Sequence, residues 1–301
     1  MEKNIELVFL EYKEKRGVLT ETNRLNNLQR GYEGEREFVK WYNDYVNSDW
    51  LFIEDYWFDY EGVMQTDFIL ISPKQWLVID VKNYDCLFEY RNGKCYYNQK
   101  PSKKNIFNTM IDRTDCIRSI AESIYYNVKV DPVMVFINPH GKFIYDQLPA
   151  LQIVTHNDLR DFIKYLPNHT PLQNWQTTKI QNTLNKYRTD YNAKFSRLQP
   201  QDFSRLNKGI YCNHCGKFEV ERGRYSVKCK HCHTSESLEA TICRHGHELN
   251  SLFHDNPEFL TTQNVFELMG QEISKRTIKR HLGTNFTLIP KSQLSYYVIN
   301  S

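Results

Sequence analysis

The sequence predicts an α/β protein: a mixed sheet flanked by helices, then a small cysteine-bound module and a C-terminal pair of helices. Three observations carry this. From about residue 50 to residue 165, short aliphatic and aromatic runs alternate with stretches of helical period, the pattern of helices packed on a sheet. Four of the eight cysteines form two Cys-x-x-Cys pairs. Near the C-terminus, two short helical segments flank Gly270, and the second is rich in Lys and Arg. Breakers divide the chain at 1–168, 169–208, 209–240 and 241–301.

Taken in order, residues 1–30 are polar with scattered apolar points and read as a leading helix or arm. Thr20-Glu21-Thr22 offers a cap for a short helix ending near Gly31. Residues 32–47 form an amphipathic helix with Phe38, Trp41, Tyr42 and Tyr45 on one stripe, and Gly34 permits close approach to a sheet. Trp50–Phe58 is a strand. Phe68–Ile71 and Trp76–Ile79, around Ser72-Pro73-Lys74-Gln75, are two buried strands joined as a hairpin. Cys86–Tyr90 and Lys94–Tyr97 flank Asn92-Gly93, the strongest two-residue hairpin signal. Residues 105–127 are helical, residues 133–137 and 151–154 are strands, and Asn157-Asp158 caps a helix running to Tyr165. Pro167–Pro171 breaks the chain. From Trp175 to Leu198, Ile180, Leu184, Tyr187, Tyr191 and Phe195 step by three or four, which predicts one long helix.

The central hairpin carries the chemistry. If Ile71 faces Trp76, the same register sets Asp67 opposite Asp80, with Lys82 on the same face. Two carboxylates forced together need a compensating cation, and hard Mg²⁺ takes such oxygen ligands. A lysine beside that ion can orient a water or steady a developing phosphate charge. The residues alone leave a second reading open, an Asp/Lys ion pair at the end of a hairpin.

Gly31-Tyr32-Glu33-Gly34-Glu35, Gln65-Thr66-Asp67 and Ile79-Asp80-Val81-Lys82-Asn83-Tyr84 together resemble the nuclease-related domain called NERD, within the PD-(D/E)xK nuclease superfamily. The match spans roughly the first half of the chain. Asp80 stands where such families usually carry Glu, Asp85 stands where a glycine often follows, and Asn105-Ile106 lacks a frequent proline. The resemblance implies a restriction-endonuclease-like fold and a metal-dependent DNA endonuclease. Asp67 and Asp80 would hold Mg²⁺ or Mn²⁺ with the Val81 carbonyl. Glu35 would add a third carboxylate, Lys82 would position the attacking water, and Gln65 would orient its neighbours. The alternative is a non-catalytic DNA-binding or regulatory protein with a decayed nuclease fold.

Cys212, Cys215, Cys229 and Cys232 follow the spacing Cys-x₂-Cys-x₁₃-Cys-x₂-Cys. Two such thiolate knuckles hold one tetrahedral, closed and therefore structural Zn²⁺. The alternating residues around Arg222-Gly223 predict a hairpin between them, and the whole resembles a zinc ribbon. Arg222, Arg224, Lys228 and Lys230 make it basic. Cys243-Arg244-His245-Gly246-His247 offers ligand types but no partner pair. Further on, Thr261–Met269 and a helix capped by Ser274 resemble a helix–turn–helix. Its second helix would dock through Ile278 and Leu282 and present Lys275, Arg276, Lys279 and Arg280 to DNA. Phe286–Ile289 and Leu294–Ile299 would form a wing.

Charge distribution agrees with a polyanionic partner. The 301 residues carry a formal charge of only +3, yet residues 186–232 hold 11 Lys/Arg against 4 Asp/Glu. DNA is the expected partner. RNA fits less well, because the narrow major groove of A-form RNA excludes a reading helix. A homodimer or a helicase-type partner stays open. No run of about 18 apolar residues exists and the N-terminus lacks a signal peptide, so the expectation is a cytoplasmic protein without membrane contact.

Overall fold

A computed structural model describes residues 1–124, 128–147, 149–190, 195–291 and 295–299. By packing, the chain divides into two units: Met1 with Asn27–Asn192, and Glu2–Asn26 with Ala193–Ser301. Helix α1 (Ile5–Lys15) belongs to the second unit, and α2 (Thr22–Tyr45) begins in the second and continues into the first.

The first unit is built on strands β1 (Leu51–Asp59), β2 (Val63–Ile71) and β3 (Gln75–Lys82), a small sheet of β4 (Leu87–Arg91), β5 (Lys94–Tyr97) and β6 (Lys100–Pro101), helix α3 (Ile106–Glu122), strands β7 (Lys129–Phe136), β8 (Lys142–Tyr145) and β9 (Gln152–Thr155), and helices α4 (Leu159–Lys164) and α5 (Asn174–Tyr187). The main sheet has the order β1-β2-β3-β7-β9. Its first three strands are antiparallel, and β3, β7 and β9 run parallel. The β2–β3 hairpin has the predicted register, with Ile71 opposite Trp76 and Phe68 opposite Ile79.

Side-chain alternation divides the core into two layers. Ile69, Ile71, Trp76, Val78 and Met134 pack with Phe107, Met110, Ile117 and Ile120 of α3 and Ile180 and Leu184 of α5. Phe68, Leu70, Leu77, Ile79, Val133 and Val135 pack with Phe38 and Tyr42 of α2 and Leu159 and Ile163 of α4. The apolar runs are therefore continuous rather than alternating, because both faces of the sheet are covered. The small sheet has the order β6-β5-β4-β8. Its Asn92-Gly93 turn has φ of 50° and 72°, the doubly left-handed turn that the dipeptide predicts. Strand β8 is absent from the sequence reading; it is only four residues long, and three of them are exposed.

The second unit holds α1 together with strands β10 (Val220–Arg222), β11 (Ser226–Cys229) and β12 (Ser235–Ser237), helix α6 (Leu238–Leu252), helices α7 (Thr262–Leu268) and α8 (Lys275–Asn285), and the paired strands β13 (Thr287–Ile289) and β14 (Tyr296–Val298). Arg16, just past α1, is fully buried. Its guanidinium forms a two-point pair with Glu248 of α6 at 2.7 and 2.8 Å and donates to the carbonyls of Asn207 and Gly209.

Two expectations are corrected. The leading segment does not close a short helix at Gly31: α2 is one helix of 24 residues through Gly31 and Gly34. A glycine inside a helix costs only about 1 kcal/mol, small beside the burial of its apolar stripe. The helix expected from Trp175 to Leu198 ends at Tyr187. Arg188 turns to extended geometry and bridges Phe58, and Thr189 N–H donates to the Trp57 carbonyl, so the chain follows the β1 edge instead. Tyr191 lies outside the described residues. By packing, α1 lies in the second unit and α5 in the first.

Candidate active site and metal centre

The site begins where β2 and β3 separate. Their ladder ends at the Phe68–Ile79 pair, so Asp67 and Asp80 do not form the directly opposed pair expected from the register. Beyond it, β2 follows β1 while β3 follows β7, with Asp80 beside Met134 and Lys82 beside Phe136. Asp67 and Asp80 sit at this fork, both buried. The Val81 N–H donates to Asp67 Oδ2 at 2.7 Å, so a side chain replaces the missing ladder bond and fixes the carboxylate. On β1, Asp55 has φ of 44° and accepts from Gln65 Nε2 at 2.9 Å and Trp57 Nε1 at 2.8 Å.

Asp67, Asp80 and Lys82 point to the face covered by α3, as the alternation predicts. The Lys82 ammonium pairs with Asp80 Oδ2, and Arg113 Nη1 of α3 lies 2.6 Å from Asp80 Oδ1. These groups line an open cleft of about 520 Å³ together with Glu35 and Gln65. Glu35 arrives from α2, whose approach depends on Gly34: a Cβ there would lie 2.7 Å from Asn83 Cβ. Asn83 then ties the end of β3 to its neighbours, donating to the Arg30 carbonyl at 2.9 Å and accepting from Asn138 at 2.8 Å. Thus the Gly34 and Asn83 positions of the motif shape the cleft, while Glu35, Asp67, Asp80 and Lys82 carry its charge.

Electrostatics separate the carboxylates. Burial, then the Asp67 and Asp55 charges, push Glu35 up to about 9. Burial and the Asp80 charge raise Asp67 to about 6. Burial also disfavours ionised Asp80, but the Lys82 and Arg113 cations outweigh it and hold the carboxyl below its ordinary value. Lys82 is raised above its ordinary value because Asp80 and Asp67 outweigh the burial that disfavours its charge. Arg113 is missed by the sequence reading. One signal marks it: it falls between Met110 and Ile117 at helical spacing, a cation at the edge of the buried stripe of α3.

Residues 30–137 match the family model of the nuclease-related domain, NERD. The chain carries a NERD domain. No curated protein and no solved structure matched it. The matched segment contains every residue that lines the cleft, from Arg30 to Arg113, except Asn27 at its edge.

The four cysteines converge in the second unit, with their sulfurs all within 4.8 Å of one another. The Cys212–Cys232 and Cys215–Cys229 sulfur pairs are 3.5 Å apart. A tetrahedral Zn²⁺ with bonds of about 2.3 Å sets its sulfurs about 3.8 Å apart, so the cluster fits zinc in number, type and spacing. The His231 and Cys232 N–H groups both donate to Cys229 Sγ at 3.4 Å, and Gly223 N–H closes the predicted hairpin on the Ser226 carbonyl at 2.8 Å. This is a cysteine cluster compatible with a zinc ribbon. Among the described residues no second cluster appears. Within the other ligand-rich run, Arg244 pairs with Glu236 and His245 Nδ1 lies 2.7 Å from the Thr241 carbonyl.

The basic residues are placed as follows. Arg222 Nη1 donates to the Glu272 carbonyl at 2.6 Å, and Arg224 lies over the Tyr225 ring. Lys228 and Lys230 are exposed. Ser274 caps α8 by accepting from Thr277 N–H, Ile278 and Leu282 are fully buried, and Lys275, Arg276, Lys279 and Arg280 are exposed on the other side. Strands β13 and β14 pair as the expected hairpin, whose Leu294 lies outside the described residues. No helix among the described residues is long and apolar enough to cross a membrane.

Proposed function

We propose that the chain is a divalent-metal-dependent DNA endonuclease of the PD-(D/E)xK type. The observation that carries this is the meeting of Asp67, Asp80 and Lys82 in one cleft beside Glu35. Burial, and then the charges of neighbouring carboxylates, keep Glu35 and Asp67 protonated above the ordinary carboxyl range, so ionising them calls for added positive charge. A hard cation satisfies that need through oxygen ligands. Asp67 and Asp80 would hold Mg²⁺ or Mn²⁺, with Glu35 and the Val81 carbonyl as further donors. Such an ion, when bound, polarises a phosphoryl oxygen and acidifies a water. Lys82, held by Asp80, orients the attacking water, and Gln65 positions its neighbours from the β2 side. The cysteine cluster, holding Zn²⁺, folds the ribbon. Arg224, Lys228 and Lys230, with Arg222, and the outer face of α8 hold the DNA backbone or enter its major groove as a helix–turn–helix.

A non-catalytic DNA-binding role is the second reading. It is favoured by one detail: both oxygens of Asp80 already hold a protein cation, Lys82 on one and Arg113 on the other. The deciding assay uses purified protein with plasmid, linear duplex, single-stranded DNA and RNA, each with Mg²⁺, Mn²⁺ or EDTA, and Lys82→Ala alongside. Metal-dependent cutting of DNA that is lost in the variant is expected. Salt-sensitive DNA binding without cutting under any metal would select the second reading.

A further inference from the structure

We propose that Arg113 is a phosphate-contacting residue of the cleft, holding a non-bridging oxygen of the phosphodiester while anchored on Asp80. The proposal rests on the nuclease reading above. Arg113 projects from α3, the helix that covers the face bearing Asp67, Asp80 and Lys82. Its Nη1 donates to Asp80 Oδ1 at 2.6 Å and touches Met110 Sδ at 4.0 Å. Among the described residues, no protein acceptor meets its Nε or Nη2. The side chain is 16% exposed and lines the cleft, so the unmatched donors lie in a partly dry, open site.

A guanidinium carries five donors in one rigid plane and keeps its charge at any relevant pH. One contact to Asp80 fixes that plane and leaves most of the donors without a partner. The carboxylate it rests on is shared with Lys82, so two cations meet one anion at this point. Phosphate oxygens fill those open donor positions, and their geometry matches the guanidinium fork. Lysine could supply the charge at position 113 but not the rigid planar fork of donors. This distinguishes a phosphate contact from a residue that only steadies Asp80.

The test uses the full-length protein with Arg113→Ala and Arg113→Lys. DNA binding is measured in Ca²⁺, where a Mg²⁺ nuclease binds without cutting, across a salt series. Mn²⁺ binding is measured separately without DNA. Arg113→Ala is expected to weaken DNA binding about tenfold, as loss of one charge-assisted contact does. It is also expected to lower the log–log salt slope by about 0.9, one phosphate's share. Mn²⁺ affinity should be kept or increased. Arg113→Lys should restore the salt slope but not full cleavage. Wild-type DNA affinity and slope in Arg113→Ala, with Mn²⁺ binding lost, would overturn the proposal and leave Arg113 as a support for Asp80. If wild type never cuts but the binding losses occur, the phosphate contact stands and the nuclease reading fails.

Discussion

Glu35 ties protonation to folding in a way that can be measured. In the folded chain it keeps its proton up to about 9, whereas its ordinary value is 4.5. Between those values the folded state binds a proton that the unfolded state releases, so stability is full at low pH and falls as pH rises through this window. Thermal denaturation in EDTA should show a falling Tm from pH 5 to pH 9, flattened in Glu35→Gln. Added Mg²⁺ should raise Tm more at pH 8.5 than at pH 6, because deprotonated carboxylates are the ligands. An equal shift at both values would remove Glu35 and Asp67 from the metal site. Lys82→Ala should lower cleavage by about 10²–10⁴-fold, the usual worth of a positioned proton-handling group, with far-UV circular dichroism unchanged. At Gly34, the Cβ of alanine would meet Asn83 at 2.7 Å. Gly34→Ala is expected to cost about 1–3 kcal/mol by overpacking and to reduce cleavage by displacing Glu35; chemical denaturation and the cleavage assay check both.

Among elements, α1 and the cysteine cluster decide how the second unit is held. The Arg16–Glu248 pair is fully buried and extends to the Asn207 and Gly209 carbonyls. Removing one partner leaves a buried charge uncompensated, a loss of about 3–5 kcal/mol. Arg16→Ala should therefore abolish hydrogen-exchange protection in α6 while β3 keeps its own. Loss in β3 and retention in α6 would contradict that assignment. Metal analysis should find one zinc per chain, lost in Cys229→Ser, and chelation should melt the β10–β12 hairpin signal. Neither the packing of α1 in the second unit nor the Arg16 pair is legible in the sequence, since the partners stand 232 positions apart. The cysteine cluster is legible because its four residues and their spacing are local.

For the whole molecule, the uneven charge makes its prediction about affinity rather than fold. With 11 Lys/Arg against 4 Asp/Glu in residues 186–232, and four exposed cations on α8, DNA binding should weaken steeply with salt. Lys279→Ala with Arg280→Ala should reduce the salt slope by about 1.8 if both contact phosphates, and by less if either reads a base edge. An unchanged slope would take α8 out of the DNA interface.

The sequence by itself determined the β2–β3 hairpin and its register, the common face of Asp67, Asp80 and Lys82, the Asn92-Gly93 turn, the cysteine cluster and the buried side of α8. Each depends on residues close in sequence, where pleat, helix period or ligand spacing leaves one arrangement. Only the tertiary structure decided that α2 runs unbroken to bring Glu35 over the strand ends, that α5 stops where the chain meets the β1 edge, and that Arg113 reaches Asp80. These depend on which helix covers which face of the sheet, and packing between distant segments leaves no periodic mark in the chain.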